Sequence, residues 1–476
     1  MTAWSNYQLQ VFDFVRNDNR HGAVVSVAGS GKSTTLEECC AVVPPHKKTL
    51  VLSFNTDIQL EMYERISKRA LRCEVRTYNS YCNTLLKRHE LIPPKFNEDK
   101  TVDILKRSVY KDRFWELQYS IKRAVSILKN KAVFAEEDIE ALVEKEDICD
   151  SDNFAAIAAD IFRQSVDYTR EIDYDDQKYY AIKNNWRVPK VDYLFIDEYQ
   201  DTCPIEAMLV DRFIASGTRV IIVGDHDQAI YSFKGTQADS IRKFIAKYDA
   251  VELPLSTCFR CSQAVIKEAQ KTVPRIEAAS FAVEGSVGTV TRAQFFDKVQ
   301  LDDLILGRTN STLVSSCIQF FKYNKNAYIE GKEVTAGLFA YIGRVSGNDG
   351  EMDIDVFEER MFEDYKKTSE LLIACKKVNL LNELRDWFEC VSMLADDPHL
   401  FTVGELRYKA YNLFKVSKTE KYRHMTIHKS KGLEGVKGAN VYLLDPENLG
   451  ELPEDKRLLY VATTRSKMGG FYYVRG

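Results

Sequence analysis

The sequence predicts an α/β protein built on parallel sheets, and two observations carry that reading. The first is an apolar run, Ala23-Val24-Val25-Ser26-Val27, that leads through Ala28-Gly29-Ser30-Gly31-Lys32-Ser33 into a helix-compatible stretch from Thr34 to Val43. The second is the alternation of short apolar strands with helical segments from residue 23 to 81. That alternation argues strands lying parallel with helices on the faces of the sheet.

Taken in order, residues 5 to 17 read as a short helix with Gln8 near its start. Its distance from the glycine-bearing loop allows Gln8 to lie beside a nucleotide base, since an amide both donates to and accepts from adenine. A lone glutamine is more ordinarily a surface residue. The run from Ala23 is apolar enough for a buried strand. In the loop that follows, Gly29 and Gly31 permit turns that a side chain would forbid, so several N–H groups point inward. The next helix aims its positive end at the same place. Lys32 supplies a mobile cation for outer phosphates and Ser33 a hydroxyl for Mg²⁺. The full pattern places a glycine five positions before Gly31, where this chain has Ser26.

Thr49 to Phe54 reads as a second buried strand, running into Asn55 and a helix that carries Glu61, Arg65 and Lys68. Val75 to Tyr81 reads as another short strand with a polar and aromatic end. Ligands gather at the carboxyl ends of strands in such sheets. Phe54-Asn55 and Thr77-Tyr78-Asn79-Ser80 stand at those ends. Residues 84 to 189 change character, with helical periodicity and many Lys, Glu, Asp and Leu residues, and read as a helical insertion. Tyr119, Lys122, Arg123 and Lys129 are candidates to touch a phosphate backbone there, although a solvated helix face is the plainer reading.

Val191 to Ile196 is the next strand, ending in Asp197-Glu198-Tyr199-Gln200-Asp201. Adjacent carboxylates at a strand end make sense if Asp197 and Ser33 hold Mg²⁺ and Glu198 orients an attacking water. Arg219 to Asp225 follows as a strand, then His226-Asp227-Gln228-Ala229-Ile230-Tyr231-Ser232-Phe233-Lys234-Gly235. Gln228 is placed to sense an outer phosphate. Tyr231 and Phe233 can stack on bases without regard to sequence, though aromatics in such a run are more often core.

At 476 residues the chain has room for about three compact units. Its 45% hydrophobic and 29% charged content is that of a globular protein. No apolar run approaches the about 20 residues that span a bilayer. The opening Met1-Thr2-Ala3-Trp4-Ser5-Asn6 has no basic segment leading into an apolar one, so no secretory signal is expected. Eleven scattered cysteines fit a reducing compartment. Cys258 and Cys261 form a C-x-x-C, but no second pair accompanies them and a metal or redox site is not expected. A net charge of −4 gives no global attraction for nucleic acid, so any such binding must be local.

These motifs, in this order, resemble those of superfamily 1 helicases of the UvrD/Rep type. The resemblance rests on Gln8, Ala28 to Ser33, Ser53-Phe54-Asn55, Thr77 to Tyr81, Asp197 to Asp201 and Gly224 to Gly235. It continues through Leu255 to Cys261, Gly307-Arg308-Thr309-Asn310, Thr426 to Glu434 and Leu458 to Arg465. It implies an α/β fold of two RecA-like P-loop domains with parallel sheets, each interrupted by a mainly helical insertion. The expected boundaries are 1–83 and 190–250 for the first domain, 84–189 for its insertion, 251–325 and 421–476 for the second domain, and 326–420 for a reduced accessory insertion. Gly331, Gly337, Gly343 and Gly347 to Gly350 are expected to break the helices of that second insertion.

The same resemblance implies ATP and Mg²⁺ as cofactors. Ala28, Gly29, Ser30, Gly31, Lys32, Ser33 and Thr34 would cradle phosphate, and Gln8 and Phe259 would meet adenine. Phe259 stands where the family usually has Tyr, and Cys258 where it has Asn. Glu434 resembles a residue near the nucleotide sugar. Lys32, Asp197, Glu198, Gln228, Arg260 and Arg465 would carry the chemistry, the two arginines reaching the γ-phosphate. Phe54, Asn55, Thr77, Tyr78, Asn79, Tyr231, Phe233, Arg308, Asn310 and His428 resemble DNA contacts, with Lys234 where the family commonly has Arg.

The implied activity is ATP-driven translocation 3′ to 5′ on single-stranded DNA with strand separation at junctions or tailed duplexes. A monomer in the cytoplasm of a bacterial or phage-infected cell is expected. A DNA-stimulated ATPase that strips proteins from DNA, or senses nucleic acid in a larger complex, is the alternative. An RNA-directed enzyme comes third.

Overall fold

The computed structural model describes residues 4–53, 56–69, 73–89, 94–134, 139–146, 148–149, 151, 153–230, 239–323, 325–330, 332–374, 378–414 and 422–476. By packing, the chain divides into two units. The first takes in the chain up to Phe259, save Cys149–Ser151, together with Arg275–Ala279, and the second takes in the remainder.

The first unit is a six-stranded, wholly parallel sheet. Its strands are β1 (Gly22–Ser26), β2 (Thr49–Ser53), β3 (Cys73–Thr77), β4 (Tyr193–Ile196), β5 (Arg219–Gly224) and β6 (Val251–Leu255), in the order β3-β2-β4-β5-β1-β6. All three of β1, β2 and β5 are buried at every position. This is why their sequences are continuous apolar runs rather than alternating ones. Leu36, Cys39 and Cys40 from helix Lys32–Val42 and Val11, Phe12 and Val15 from helix Asn6–Asn17 pack with Val24, Val51 and Phe195 in one core. Arg219 joins the two layers by donating to the carbonyls of Phe14, Val15 and Arg20 at 3.0, 2.8 and 2.9 Å.

Two boundaries in this unit differ from the sequence-based expectation. The run from Val251 does not open the second domain. It is β6, paired in parallel with β1 from Gly22↔Val251 to Ser26↔Leu255. Its apolar residues look the same whichever sheet they join, and only the register with β1 decides. The strand expected from Val75 to Tyr81 stops at Thr77, and helix Tyr78–His89 begins at once. The Thr77 hydroxyl accepts the Ser80 amide at 3.1 Å, which is how an N-cap ends a strand and starts a helix.

The first insertion is mainly helical, as expected. It holds helices Lys100–Arg107, Phe114–Asn130, Ile139–Lys145, Phe154–Asp167 and Tyr174–Lys183, with a two-residue ladder between Lys95–Phe96 and Glu171–Ile172. Lys129 is not a backbone-touching cation. It is 1% exposed and lies 2.9 Å from Asp173 and 2.8 Å from Asp176, while Lys100, wholly buried, lies 2.7 Å from Asp176. Lys122 pairs with Asp99 at 2.9 Å on the surface.

The second unit is also a six-stranded parallel sheet: β7 (Val287–Thr291), β8 (Leu304–Gly307), β9 (Ala327–Ile329), β10 (Tyr422–Thr426), β11 (Val441–Leu444) and β12 (Phe471–Arg475), ordered β7-β12-β11-β8-β10-β9. The second insertion therefore starts after β9 rather than at residue 326. Its helices are Lys332–Ser346, Ile354–Ala374, Val378–Ala395 and Val403–Phe414. Two of the expected helix breaks are not breaks. Gly337 and Gly343 lie inside helix Lys332–Ser346, and a Cβ on Gly337 would come within 2.4 Å of the Trp387 ring. The glycine is there for close packing, not for a turn. Gly331 lies outside the described residues.

Leu338, Phe357, Val391, Leu394 and Leu406 of these helices share one continuous hydrophobic core with Ile305 of β8, Phe295 of helix Arg292–Lys298 and Val314 and Phe320 of helix Asn310–Lys322. The second insertion is thus built into the core of its unit rather than standing apart as a separate accessory body. Among the described residues no helix is long and apolar enough to cross a membrane.

Candidate nucleotide site

Strand β1 delivers the glycine loop. Ser26, at the place where the full motif has glycine, is wholly buried and donates its hydroxyl to the Gly224 carbonyl of β5 at 2.8 Å. The serine side chain therefore fits by bonding the neighbouring strand. Gly29 and Gly31 take φ of 66° and 76°, left-handed values that cost a side chain energy. Gly31 also caps helix Lys32–Val42, and its carbonyl accepts the Thr35 hydroxyl at 2.8 Å. Ser30 is 1% exposed and its hydroxyl has no hydrogen-bond partner. Such an orphan costs about 1–3 kcal/mol, and a phosphate oxygen in the cradle is the group that would satisfy it.

Strand β4 delivers the carboxylates to the same point. Lys32 Nζ lies 3.0 Å from Glu198 Oε2, and Ser33 Oγ donates to Asp197 Oδ2 at 3.3 Å. Glu198 holds a left-handed φ of 53°, uncommon for a residue with a side chain. Its amide donates to Asp197 Oδ1 at 2.9 Å. Burial by itself would push the Lys32 ammonium down, but the charges of Glu198, Asp225 and Asp197 more than offset it and hold Lys32 above its usual value. Burial and then the Glu198 charge push the Asp197 carboxyl up to about 7. A buried carboxyl with a raised pKa beside a hydroxyl suits a hard divalent cation that keeps most of its ligands as water and phosphate. Ser33 and Asp197 would hold Mg²⁺, and the fit rests on those two oxygens being within hydrogen-bond reach.

A second polar layer backs the first. Gln200 donates its amide to Glu198 Oε2 and accepts the Asp225 amide at 2.9 Å. Asp225, wholly buried at the end of β5, accepts from Gln228 Nε2 at 2.7 Å. Gln8 also reaches the loop. It is 3% exposed, donates to the Thr35 hydroxyl at 2.9 Å and closes a capping box with Ser5. Phe259 donates its amide to the Gly29 carbonyl at 2.8 Å, and its ring lies 3.8 Å from where a Gly31 Cβ would sit. Gln8 and Phe259 therefore both lie close to Gly31.

Of the sequence-predicted residues, the first unit brings together Gln8, the loop from Ala28 to Thr34, Asp197, Glu198, Gln228 and Phe259. The sequence reading passed over the roles of Gln200 and Arg275. Gln200 carried a signal, since it lies inside the Asp-Glu-x-Gln-Asp motif. Arg275 carried none. Its guanidinium lies 2.5 Å from Asp227 Oδ2 and 3.4 Å from Asp225 Oδ1, and donates to the Ser26 carbonyl at 3.2 Å.

In the second unit Arg260 lies 2.8 Å from Glu434 and donates to the Thr464 carbonyl at 3.1 Å, while Lys467 lies 2.8 Å from the other Glu434 oxygen. Burial would raise the Glu434 carboxyl, but Arg260 and Lys467 together hold it down near about 2. Glu434 is thus an anchor for Arg260. Arg465 is 1% exposed and donates to the carbonyls of Val461, Ser430 and Leu433 at 3.0, 3.3 and 2.9 Å.

The expected DNA contacts divide. Tyr78 is 4% exposed, and burial raises its phenol well above the usual value. It is a core residue and offers no face for a base, because the helix that starts at Tyr78 turns the ring inward. Thr77 spends its hydroxyl on the cap described above, and Asn79 is half-buried with a buried amide oxygen that has no partner. Arg308 lies 3.7 Å from Asp455. Asn310 and Ser311 donate to the Asp386 carboxylate from the second insertion at 2.7 to 3.1 Å. His428 is half-buried in a one-turn helix. Phe54, Asn55, Tyr231, Phe233 and Lys234 lie outside the described residues.

This geometry defines a phosphate-loop nucleotide site on a parallel α/β unit, with a loop cation, a hydroxyl and paired carboxylates converging. Residues 8–249, half of the chain, match the family described as the UvrD/REP helicase N-terminal domain. The chain belongs to that family of UvrD-like superfamily 1 helicases. It is 26% identical over 282 residues to a probable DNA helicase II homolog of Mycoplasma capricolum, covering 53% of this chain and 38% of that one. It is 24% identical over 295 residues to the ATP-dependent DNA helicase UvrD1 of Mycobacterium leprae, with 53% and 37% covered. The ATP-dependent DNA helicase PcrA of Staphylococcus aureus is 25% identical over 278 residues, with 52% and 37% covered. The matched region therefore spans well under half the length of these curated relatives. Among solved structures, an arterivirus nonstructural protein 10 helicase aligns over 99% of this chain and 62% of its own, at 12% identity and a TM-score of 0.37.

Proposed function

We propose that the chain is an ATP-dependent translocase on single-stranded DNA that separates strands, moving 3′ to 5′. The observation that carries the ATPase part is the convergence of two motifs 164 residues apart, with Ser33 3.3 Å from Asp197 and Lys32 3.0 Å from Glu198. The names of the relatives support DNA as the polymer.

In this reading the loop amides and Lys32 bind the phosphates. Glu198, held by its left-handed backbone and by Gln200, takes the proton of the attacking water. Mg²⁺ held at Ser33 and Asp197 would neutralise charge on the phosphates. Gln228 senses the outer phosphate, and Arg260 and Arg465 steady the transferring group. Thr77, Asn79, Arg308, Asn310 and His428 remain the proposed DNA contacts, with Phe54, Asn55, Tyr231 and Phe233.

The experiment is steady-state ATP hydrolysis with and without single-stranded DNA. Strong stimulation is expected, weakening with salt as phosphate contacts require. Lys32→Ala should abolish turnover. Glu198→Gln should cut it by about 10²- to 10⁴-fold, the range for a general base, while nucleotide binding survives. Full activity in Glu198→Gln would sink the assignment.

A second reading is favoured by the shared core of the second insertion with its sheet. An insertion so embedded suits a motor that strips proteins from DNA with little unwinding of its own. Robust unwinding of a 3′-tailed duplex by the chain alone would decide against it.

A further inference from the structure

We infer that Arg275 is a positioning residue that holds Gln228 in register with the outer phosphate of the bound nucleotide, acting through the Asp225 carboxylate. This rests on the ATP reading of the loop.

Arg275 follows helix Gln263–Ala269 and precedes Glu277–Ala278, which pair in parallel with Thr257–Cys258. That ladder fixes its backbone beside the carboxyl ends of β1 and β5. From there one guanidinium serves both strands. Nη2 donates to the carbonyl of Ser26, the last residue of β1 before the phosphate loop, at 3.2 Å. The same nitrogen lies 3.4 Å from Asp225 Oδ1. Nη1 lies 2.5 Å from Asp227 Oδ2 and 3.1 Å from His226 Nε2.

Asp225 is the hub of this arrangement. It is wholly buried, and its Oδ1 also accepts the Asp227 amide at 3.1 Å. Its other oxygen, Oδ2, accepts Gln228 Nε2 at 2.7 Å. A buried carboxylate is held in one rotamer only while its charge is compensated and both oxygens are bonded. Arg275 supplies a cation on one side of Asp225, and Gln228 takes its direction from the other. Removing the guanidinium leaves the Asp227 amide on Oδ1 and the charge of Lys32 nearby but takes away the paired cation, so the carboxylate and the Gln228 amide it directs are held less firmly. Arg275 itself touches no nucleotide-cradling atom except through the Ser26 carbonyl. Its effect should therefore fall on sensing of the third phosphate and not on binding of the first two.

The test uses the full chain, Mg²⁺ and a fluorescent ADP analogue displaced in turn by ADP and by the slowly hydrolysed analogue ATPγS. The wild type should bind ATPγS more tightly than ADP. Arg275→Ala should reduce that preference by about tenfold, the scale of one charge-assisted hydrogen bond, with ADP affinity unchanged. Arg275→Lys should restore part of the preference. Gln228→Ala should lose the same preference, and the double variant should lose no more than either single one, since residues acting through one contact are not additive.

A preference untouched in Arg275→Ala, or full additivity in the double variant, overturns the assignment. So does an equal weakening of ADP and ATPγS, which would make Arg275 a structural strut of the loop. A wild-type chain that binds neither nucleotide overturns the ATP reading itself, and that outcome is distinct from the others.

Discussion

Asp197 is 2% exposed, and its carboxyl stands well above the ordinary 3.8, at about 7, because burial and the adjoining Glu198 both oppose its charge. Two consequences follow at this scale. A divalent cation must displace a proton to bind there, so Mg²⁺ affinity should fall by about tenfold per pH unit below about 7; a titration from pH 8 to 5 with a fluorescent nucleotide reports it. Without metal, the sign for stability is the reverse of the usual carboxylate. The folded value lies above the unfolded one, so Asp197 contributes stability that is complete below about pH 4 and is lost as pH rises through about 7. Melting of the metal-free chain should show that slope, and Asp197→Asn should remove it. Lys32, Ser33, Asp197, Glu198 and Gln228 were legible in the sequence because each sits in a short motif at a strand end, whereas Gln8 lies on helix Asn6–Asn17. Arg275 was not, because its role comes from a chain reversal with no local signature. Tyr78 misled because a polar neighbourhood at a strand end looks the same whether the ring points out or in.

At the scale of the element, the site depends on how closely β5 and the turn after β4 approach. A Cβ on Gly224 would come within 2.5 Å of Gln200 Oε1 and 2.9 Å of the Ile241 side chain. Gly224→Ala should therefore cost about 1–3 kcal/mol as overpacking, and should lower hydrolysis by moving Gln200 away from Glu198; urea unfolding and turnover measure the two effects. The helical insertion of the first unit makes a different demand. Lys100, Lys129 and Asp176 are essentially sealed from solvent, with Asp173 at their edge. Lys129→Met would leave two carboxylates facing one cation, and a broken buried network of this kind costs about 3–5 kcal/mol. A lowered melting temperature with the loop cradle intact is the expected result. The helices of this insertion were legible from periodicity, but the burial of Lys129 was not. A lysine on a helix reads as solvent-facing unless the carboxylates of a distant helix are known to meet it.

At the scale of the whole chain, what the sequence did not disclose is where one sheet stops. The apolar run at Val251 joins β1, and the run at Ala327 joins the far edge of the second sheet beside β10, as Ala327↔Tyr422 shows. Parallel strands are paired by distant segments, so local composition is silent on their neighbours. The same long-range pairing decides the fate of the second insertion. Asp386 on its helix Val378–Ala395 caps the helix that begins at Asn310, and Leu338, Phe357, Leu394 and Leu406 complete the core behind β8 and β11. Deleting residues 332–414 would uncover that core and leave the Asn310 and Ser311 amides without their acceptor. The second unit should then fail to fold, seen as loss of one cooperative transition in a thermal melt. A freely detachable arm would behave differently, since its removal would leave the transition in place. The single substitution Asp386→Ala separates the two contributions. It should lower stability by about 1–2 kcal/mol, the size of a lost helix cap, without collapsing the unit.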